Sequence, residues 1–392
     1  MNILIVSFTF PPNKDGVSEA AAAMALGFVE RGWSTTVLTE KTQPARTINR
    51  WNGVEIVQYS NTDNPLPGIR IDGNISSYTD YLVSKNWDII IIHAYTRPLR
   101  LAISVLERIP AKKILVSHGY AALLWVRVPT FPYGLGFWCK SVRASFKMPL
   151  WLRHFDRVVY LSEQTDFRGF YDHLIAKVIG YQGRRVIPNG VDLCERGNNP
   201  AGFKLNHGIA ADAFAFLCVA NYSPRKDQGY AARAFRKAAI PGSVLVFIGS
   251  EFNEHSLKFQ EKDEPHHSGD SPSRIIWLQQ QSREETLNAI AACDAFLLSA
   301  NHEAQPISLL EAMRDSKPWI ARKAGCIESM EGGICVKSEE QMADAIRRLV
   351  NDRELRERLG KEGYSAVATR YNREAYVQSY CKLVEELLAS KV

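Results

Sequence analysis

The sequence predicts an α/β protein built from two doubly wound domains. Short apolar runs alternate with helix-like stretches along the whole chain. This alternation predicts parallel strands joined by helical crossovers. The chain has 392 residues, of which 46% are hydrophobic and 23% are charged. A chain of this length usually exceeds what one hydrophobic core supports, so we expect two cores and two sheets.

Two series of strands support this prediction. The first series is NILIVSF, STTVLTE, VEIVQY, WDIIIIHA, KKILVSH and RVVYLS, with a helix expected over 18–31. The second is AFLCVAN, SVLVFIG, RIIWLQ, AFLLSA and PWIAR, with helices expected over 227–238, 283–292 and 306–315. The turn-rich segment GYQGRRVIPNGVD joins the two series. We therefore predict an N-terminal domain over 1–185 and a C-terminal domain over 186–374.

The positive charge is concentrated in the first half. Residues 1–185 contain 22 Lys and Arg against 14 Asp and Glu. Within them, residues 125–157 combine aromatic rings with basic residues, and Asp156 is the only acid. Rings and cations together favour an anionic membrane surface, although a packed amphipathic helix pair is the alternative. No nucleic-acid-binding motif accompanies the patch, so nucleic acid is not an expected partner.

The location of the protein is predicted from the absence of targeting segments. No apolar run reaches the ~20 residues that a spanning helix needs. Met1 and Asn2 lead directly into the first strand, without the basic and apolar regions of a secretory signal. We expect a cytoplasmic protein that lies peripherally at the inner face of the plasma membrane.

The first candidate binding feature is the loop after the first strand. Gly16 lies there, just before a helix that Ser18 could cap. Glycine lets the backbone approach an oxyanion, and free N–H groups at a helix start favour phosphate. A purely structural turn is an equal alternative, because tight turns between a strand and a helix often use glycine for structural reasons alone. Neither G-x-G-x-x-G nor G-x-x-x-x-G-K-[ST] occurs in the chain, which argues against a dinucleotide fingerprint and a P-loop.

Two histidines are the next candidates. His93 ends the strand DIIIIH, and His118 ends KKILVSH just before Gly119. The carboxyl ends of parallel strands line the ligand-binding edge of such a sheet. Both side chains are therefore candidates for contact with a sugar, against the alternative of structural histidines.

Two adjacent cations follow the strand AFLCVAN. Arg225 and Lys226 lie in a loop ahead of a helix. Together they could neutralise a diphosphate leaving group, with arginine as a planar fork and lysine as a point charge. The alternative is a solvated turn.

The strongest segment is AFLLSANHEAQPISLLEAMRDSKP. Pro306 suits the first turn of a helix, so the N–H groups of Ile307 and Ser308 could bind an anion. Glu311 lies about 7.5 Å further along the helix axis, at ~1.5 Å per residue. This spacing fits a pyrophosphate at the helix start and a ribose at Glu311. Glu303 would then lie on the sugar side of the phosphates, unless it is only a surface acid.

These segments together resemble the GT-B glycosyltransferases of family 4 over nearly the whole chain. The resemblance rests on the Phe-Pro-Pro…Gly opening (10–16), IPNGVD (187–192), Lys226 of SPRKD, the E-x7-E pair Glu303 and Glu311, and Ala324-Gly325. It implies two Rossmann-like domains facing across a cleft. The N-terminal domain would bind the acceptor, and a last helix, about 375–392, would pack back on it. The C-terminal domain would bind the donor.

The resemblance also implies residue roles. Glu303 would contact the donor sugar, Glu311 the ribose, Lys226 the diphosphate and His118 the reacting sugar. Where the family has a Gly-Arg pair, this chain has Ala220-Asn221, and Arg225 would supply the missing cation.

The expected activity is that of a retaining hexosyltransferase that needs no metal or other cofactor. No Asp-x-Asp metal clamp occurs in the chain. The expected partners are a nucleotide-diphosphate sugar, with UDP-glucose as the first choice, and a glycan or lipid-linked saccharide in polysaccharide biosynthesis. The alternatives are a sugar-nucleotide epimerase and a catalytically inactive, membrane-associated glycan-binding subunit.

Overall fold

The chain folds into two compact units. The computed structural model describes residues 1–13, 15–41, 49–59, 75–120, 146–165, 170–260 and 273–390. The first unit comprises residues 1–189 and 374–392, and the second comprises residues 190–373. The division after Asn189 falls inside the turn-rich segment 180–192. Each unit has its own sheet and helices, which confirms the predicted α/β class.

The first unit is built on a sheet of eight strands within the described residues. Their order is β3-β4-β2-β1-β5-β6-β7-β8. The strands are β1 (Asn2–Ser7), β2 (Ser34–Glu40), β3 (Arg50–Trp51), β4 (Val54–Tyr59), β5 (Ile89–His93), β6 (Lys112–Val116), β7 (Arg157–Tyr160) and β8 (Arg184–Val186). All neighbours are parallel except β3 and β4. Chain order reverses between β1 and β5, so β5 and β6 end beside this switch point.

Helices cover the first sheet and close its core. They are α1 (Gly16–Glu30), α2 (Ile75–Ser84), α3 (Arg97–Leu106), α4 (Tyr171–Val178) and the C-terminal helix (Arg373–Ala389), and residues 146–152 are also helical. The C-terminal helix packs tightly on α1. A Cβ at Gly27 would lie 2.2 Å from Cγ1 of Val377, and the Tyr376 hydroxyl donates to the Ala20 carbonyl at 3.1 Å. The last helix is thus part of the first unit.

The second unit has a parallel sheet in the order β11-β10-β9-β12-β13-β14. Its strands are β9 (Ala215–Val219), β10 (Ser243–Gly249), β11 (Ser273–Gln279), β12 (Ala295–Leu298), β13 (Trp319–Arg322) and β14 (Gly333–Val336). Counted within the unit, this is the 3-2-1-4-5-6 order of dinucleotide-binding domains, whose ligands lie where strand order reverses. That point is between the carboxyl ends of β9 and β12.

Three helices of the second unit, Gln228–Ala238, Arg283–Ala292 and Ile307–Arg314, start and end close to the positions predicted for them, and the unit has further helices beside these. In chain order the helices are α5 (Pro200–Asn206), α6 (Gln228–Ala238), α7 (Glu254–Gln260), α8 (Arg283–Ala292), α9 (Ile307–Arg314), α10 (Glu339–Asn351) and α11 (Arg353–Thr369). A 3₁₀ turn covers Gly325–Ser329. The loops before α6 and α9 therefore follow the two strands at the switch point.

The start of α1 differs from the prediction. Asp15, rather than Ser18, caps the helix, and its carboxylate accepts hydrogen bonds from the N–H groups of Val17 and Ser18 at 3.0 and 3.1 Å. Ser18 is buried inside the helix, where its hydroxyl donates to the Asn13 carbonyl. Aspartate competes better at this position because its charge also interacts favourably with the helix dipole.

Candidate functional site

Lys226 and Glu303 meet at the switch point of the second sheet. Lys226 lies in the loop after β9, and Glu303 lies in the loop after β12. The Lys226 ammonium forms an ion pair with Oε2 of Glu303. Both side chains are largely buried, with 15% and 11% of their surface exposed. The structure thus brings together two of the predicted site residues as one charged pair.

Hydrogen bonds tie the two loops together. The Ser299 hydroxyl donates to the Lys226 carbonyl at 2.9 Å, and the Asn301 amide N–H donates to the Arg225 carbonyl at 3.0 Å. The Asn301 side chain also donates to the Pro224 carbonyl at 3.2 Å. These bonds fix the backbone that carries both cations, so the ion pair is held by a preorganised frame.

Gly325 supports the Glu303 loop from the other side. Its φ of +54° favours glycine, and a Cβ at this position would lie 1.8 Å from the Glu303 carbonyl oxygen. The next residue, Cys326, donates its N–H to the Ala304 carbonyl at 3.1 Å. Only glycine allows this close approach, which explains why a glycine follows Ala324 after β13.

Cations keep Glu303 ionised. Burial alone would raise the pKa of the Glu303 carboxyl, but the Lys226 ammonium opposes this through both its charge and its hydrogen bond. Arg225 and His302 act in the same direction, so the pKa lies below its usual value. The Arg225 side chain is exposed and forms no ion pair with an acid among the residues that the structure describes. Because Glu303 neutralises the charge of Lys226, the positive charge that Arg225 carries is the one left to act on an anion at this site.

The start of α9 presents backbone donors beside this pair. Pro306 is the N-cap residue, and no group within the described ranges accepts a hydrogen bond from the N–H of Ile307 or Ser308. The Ser308 hydroxyl donates to the Val219 carbonyl at the end of β9. This bond fixes the helix start at the switch point, where its N–H groups favour an anion.

Glu311 is buried and has an unexpected partner. Only 3% of its surface is exposed, and its Oε1 lies 2.5 Å from the guanidinium of Arg283. Arg283 begins α8 and also contacts Glu195 with two hydrogen bonds, at 2.6 and 3.0 Å. Neither Arg283 nor Glu195 was predicted from the sequence as a site residue. The only sequence signal for Arg283 was a basic residue at the start of the helix after β11. Basic residues are common on surface helices, so this signal did not distinguish a site residue.

The predicted residues of the first unit lie at the carboxyl end of its sheet. His93 and His118 form a hydrogen bond with each other at 2.9 Å. Gly16 is the first residue of α1, but Asp15 accepts bonds from the next two N–H groups. An oxyanion near Gly16 would therefore have to displace the Asp15 carboxylate.

Most of the basic and aromatic segment 125–157 lies outside the described residues, which resume at 146. The helical residues 146–152 expose Phe146 and Leu150, with 80% and 55% of their surfaces accessible. Lys147 is exposed on the same helix. Phe155, in contrast, is buried in the core, so this aromatic ring of the segment does not face a membrane surface.

The described part of the chain contains neither a cluster of metal-ligating side chains nor a membrane-spanning helix. There, no three His, Cys, Asp or Glu side chains come together as a metal site would require. Within the same ranges, no helix is both long enough and apolar enough to cross a bilayer.

A family model matches the part of the chain that contains the charged pair. Residues 203–366 match the model described as "Glycosyl transferases group 1". The domain over 203–366 is thus similar to the group 1 glycosyltransferases. The match contains Arg225, Lys226, Glu303 and Glu311, so the predicted donor-side residues all lie in the matched domain.

Two curated relatives are glycosyltransferases of glycan assembly. The chain is 26% identical over 190 residues to the lipopolysaccharide core biosynthesis glycosyltransferase LpsE of Rhizobium meliloti, covering 46% of this chain and 51% of LpsE. It is 28% identical over 162 residues to the UDP-Gal:alpha-D-GlcNAc-diphosphoundecaprenol alpha-1,3-galactosyltransferase of Escherichia coli, covering 40% and 39%. The matches thus span about half of the first relative and less of the second.

Solved structures establish the fold of this chain. Sucrose-phosphate synthase from Thermosynechococcus elongatus aligns over 100% of both chains with a TM-score of 0.79 and 18% identity. HepE from Anabaena, in complex with UDP-glucose, aligns over 98% of this chain and 100% of its own with a TM-score of 0.73 and 14% identity. These similarities confirm the predicted GT-B fold.

Proposed function

We propose that this protein is a retaining hexosyltransferase that transfers glucose from UDP-glucose to a lipid-linked saccharide in polysaccharide biosynthesis. The observation that carries the proposal is the meeting of Lys226, Glu303 and the start of α9 at the switch point of the second sheet. Two comparisons support UDP as the nucleotide. The Escherichia coli relative is named for a UDP-sugar, and the HepE structure is a complex with UDP-glucose.

The donor is proposed to lie along α9. Its pyrophosphate accepts hydrogen bonds from the N–H groups of Ile307 and Ser308, and its ribose hydroxyls bond to the Glu311 carboxylate. Glu311 is about 7.5 Å along the helix axis from the N-cap residue Pro306, at ~1.5 Å per residue, which matches the step from phosphate to ribose. Glu303 then faces the sugar on the other side of the phosphates. The two glutamates serve different parts of one donor.

The proposed chemistry is stabilisation of a departing phosphate. As the anomeric C–O bond breaks, negative charge develops on the UDP oxygen. Lys226, Arg225 and the start of α9 stabilise this charge without reorganising, because the loops that carry them are already fixed. The acceptor hydroxyl attacks from the same face and gives its proton to the departing phosphate oxygen, so the anomeric configuration is retained. His118 positions the oxocarbenium-like sugar.

The transfer is proposed to need no metal ion. Incubation with UDP-glucose and a lipid-linked acceptor is expected to release UDP and add one hexose to the acceptor, with or without EDTA. Mass spectrometry of the acceptor and chromatography of the nucleotides measure both products. The physical reason is that protein cations already face the developing phosphate charge. Activity that EDTA abolishes and Mn²⁺ restores would contradict metal independence.

The same assay distinguishes the alternatives. An epimerase would yield an isomeric sugar nucleotide without releasing UDP. An inactive glycan-binding subunit would leave both substrates unchanged. Parallel reactions with GDP- and ADP-sugars test the choice of base.

The acceptor is proposed to come from the membrane surface. The helix over 146–152 exposes Phe146, Leu150 and Lys147, and apolar rings beside cations suit an anionic headgroup layer. The Escherichia coli relative is named for a diphosphoundecaprenol-linked substrate, which supports a lipid-linked acceptor. The protein would act peripherally at the cytoplasmic face.

Membrane binding is expected to require acidic lipids and to weaken as salt rises. Each basic residue near an anionic surface contributes about 1 kcal/mol, and salt screens this attraction. Replacing Arg143, Lys147 and Arg153 with Glu should abolish co-flotation with acidic vesicles while leaving UDP affinity unchanged.

A matched control places the same charge change on the second unit. Arg353, Arg358 and Lys361 are exposed on α11, and their replacement with Glu should leave flotation largely intact. Equal losses for both triple variants would indicate a response to net charge alone. An unmodified protein that ignores acidic vesicles at low salt would overturn the membrane proposal.

A further inference from the structure

Two histidines at neighbouring strand ends of the first unit restrain each other. His93 is the last residue of β5 and is completely buried, whereas His118 follows β6 by two residues and is partly exposed. Nδ1 of His93 lies 2.9 Å from Nε2 of His118. The rings are nearly parallel, with an interplanar angle of 25° and centroids 5.2 Å apart. This contact fixes the orientation of the more accessible ring.

Both imidazoles are neutral at neutral pH. Burial, with His118 as a smaller cause, lowers the pKa of His93 well below its usual value. Burial also lowers the pKa of His118 to about 4. Two neutral rings hold two N–H protons on four nitrogens. One proton lies in the shared hydrogen bond, and the other is on either Nε2 of His93 or Nδ1 of His118.

The direction of the shared bond therefore decides the chemistry of His118. If His93 donates, then Nδ1 of His118 carries a proton and acts as a donor. If His118 donates, then its Nδ1 is an acceptor. Nε2 of His93 is buried and has no hydrogen-bond partner among the described residues. A buried polar atom of this kind usually bonds to an ordered water or a ligand, and that group selects the direction.

The backbone at His118 is fixed as well. The Ser117 hydroxyl donates to Oδ2 of Asp172 at 2.5 Å and accepts from the N–H of Gly119 at 3.2 Å. Ser117 and Asp172 are both buried. Gly119 has a φ of +87°, so the chain turns sharply directly after His118. Asp172, on α4, thus fixes the backbone turn at Ser117 and Gly119. His93, on β5, fixes the imidazole ring of His118.

We propose that His93 is a positioning residue for the transfer: it locks His118 into one ring orientation and one neutral tautomer. The inference rests on the proposed function, in which His118 faces the reacting sugar. Because His93 is fully buried, its effect on transfer would act through His118. Its loss should therefore change turnover more than donor affinity.

Asparagine and glutamine at position 93 provide a matched test. The asparagine amide reaches the place of Nδ1 and can still bond to His118, whereas the glutamine amide reaches the place of Nε2 and cannot. His93→Gln should lower kcat about 10- to 100-fold, the range for a misplaced catalytic group, with the KM for UDP-glucose changed less than about threefold. His93→Asn should recover most of the lost turnover.

Nitrogen NMR of isotope-labelled histidine provides a readout that does not need activity. Signals of His118, assigned by their loss in His118→Gln, should show one neutral tautomer in the unmodified protein and in His93→Asn, but a mixture in His93→Gln. Equal kcat losses in both variants, or unchanged His118 signals in His93→Gln, would overturn the proposal. If the unmodified protein transfers no sugar, the proposed function fails, and the NMR result still decides whether His93 locks His118.

Discussion

Replacing Lys226 with Met is expected to lower turnover about 100- to 1,000-fold, the effect of removing one donor from a preorganised anion site. The same change should destabilise the second unit by about 3–5 kcal/mol, because it leaves the buried Glu303 carboxylate without its partner. Initial rates and denaturant unfolding measure the two effects. Arg225→Ala offers a comparison, because its exposed side chain should affect turnover with little change in stability.

A double variant separates the two roles of Lys226. Replacing Lys226 with Met and Glu303 with Gln removes both charges, so most of the lost stability should return. Turnover should not return, because the phosphate still lacks its cation. Recovery of turnover together with stability would show that the ion pair serves only the fold, and the proposed role of Lys226 would then be wrong.

The sequence was sufficient to place Lys226 and Glu303 at one edge of a sheet. Each residue follows a short apolar strand that leads into a helix, and parallel strands end at the same edge. Their direct contact was not predictable, because it depends on loop conformation. Asp227, directly after Lys226, has a φ of +46°, and backbone bonds from Asn301 hold the loop. Aspartate adopts this left-handed conformation only where its local surroundings support it, so the sequence alone does not predict it here.

Long-range partners explain most of what the sequence analysis missed. Arg283 and Glu311 are 28 residues apart, and Ser117 and Asp172 are 55 residues apart. Such pairs depend on how helices pack against the sheet, and periodicity in one chain does not show this. The helix start at Asp15 was missed for a local reason. Asp15 and Ser18 are both good N-cap residues, and the charge of Asp15, which interacts favourably with the helix dipole, favours Asp15.

The contact between Arg283 and Glu311 sharpens the expected roles of the two glutamates. Glu311→Ala should weaken UDP binding by about 1–3 kcal/mol, which corresponds to about 5- to 150-fold in Kd, because the ribose loses hydrogen bonds to a charged group. Arg283 keeps Glu195 as a partner, so the variant should remain folded. Glu303→Ala should change UDP affinity less than about threefold but should lower turnover, because Glu303 is proposed to face the sugar.

Calorimetric titration with UDP, together with initial rates, tests this division. Glu195→Gln is the matched control: it removes the charge of the other partner of Arg283 while leaving the contact between Arg283 and Glu311 in place. Its UDP affinity should stay close to that of the unmodified protein. If Glu303→Ala weakens UDP binding while Glu311→Ala does not, the donor lies in the opposite direction along α9. The sugar would then be at Glu311, and Arg283 would contact the sugar rather than the nucleoside.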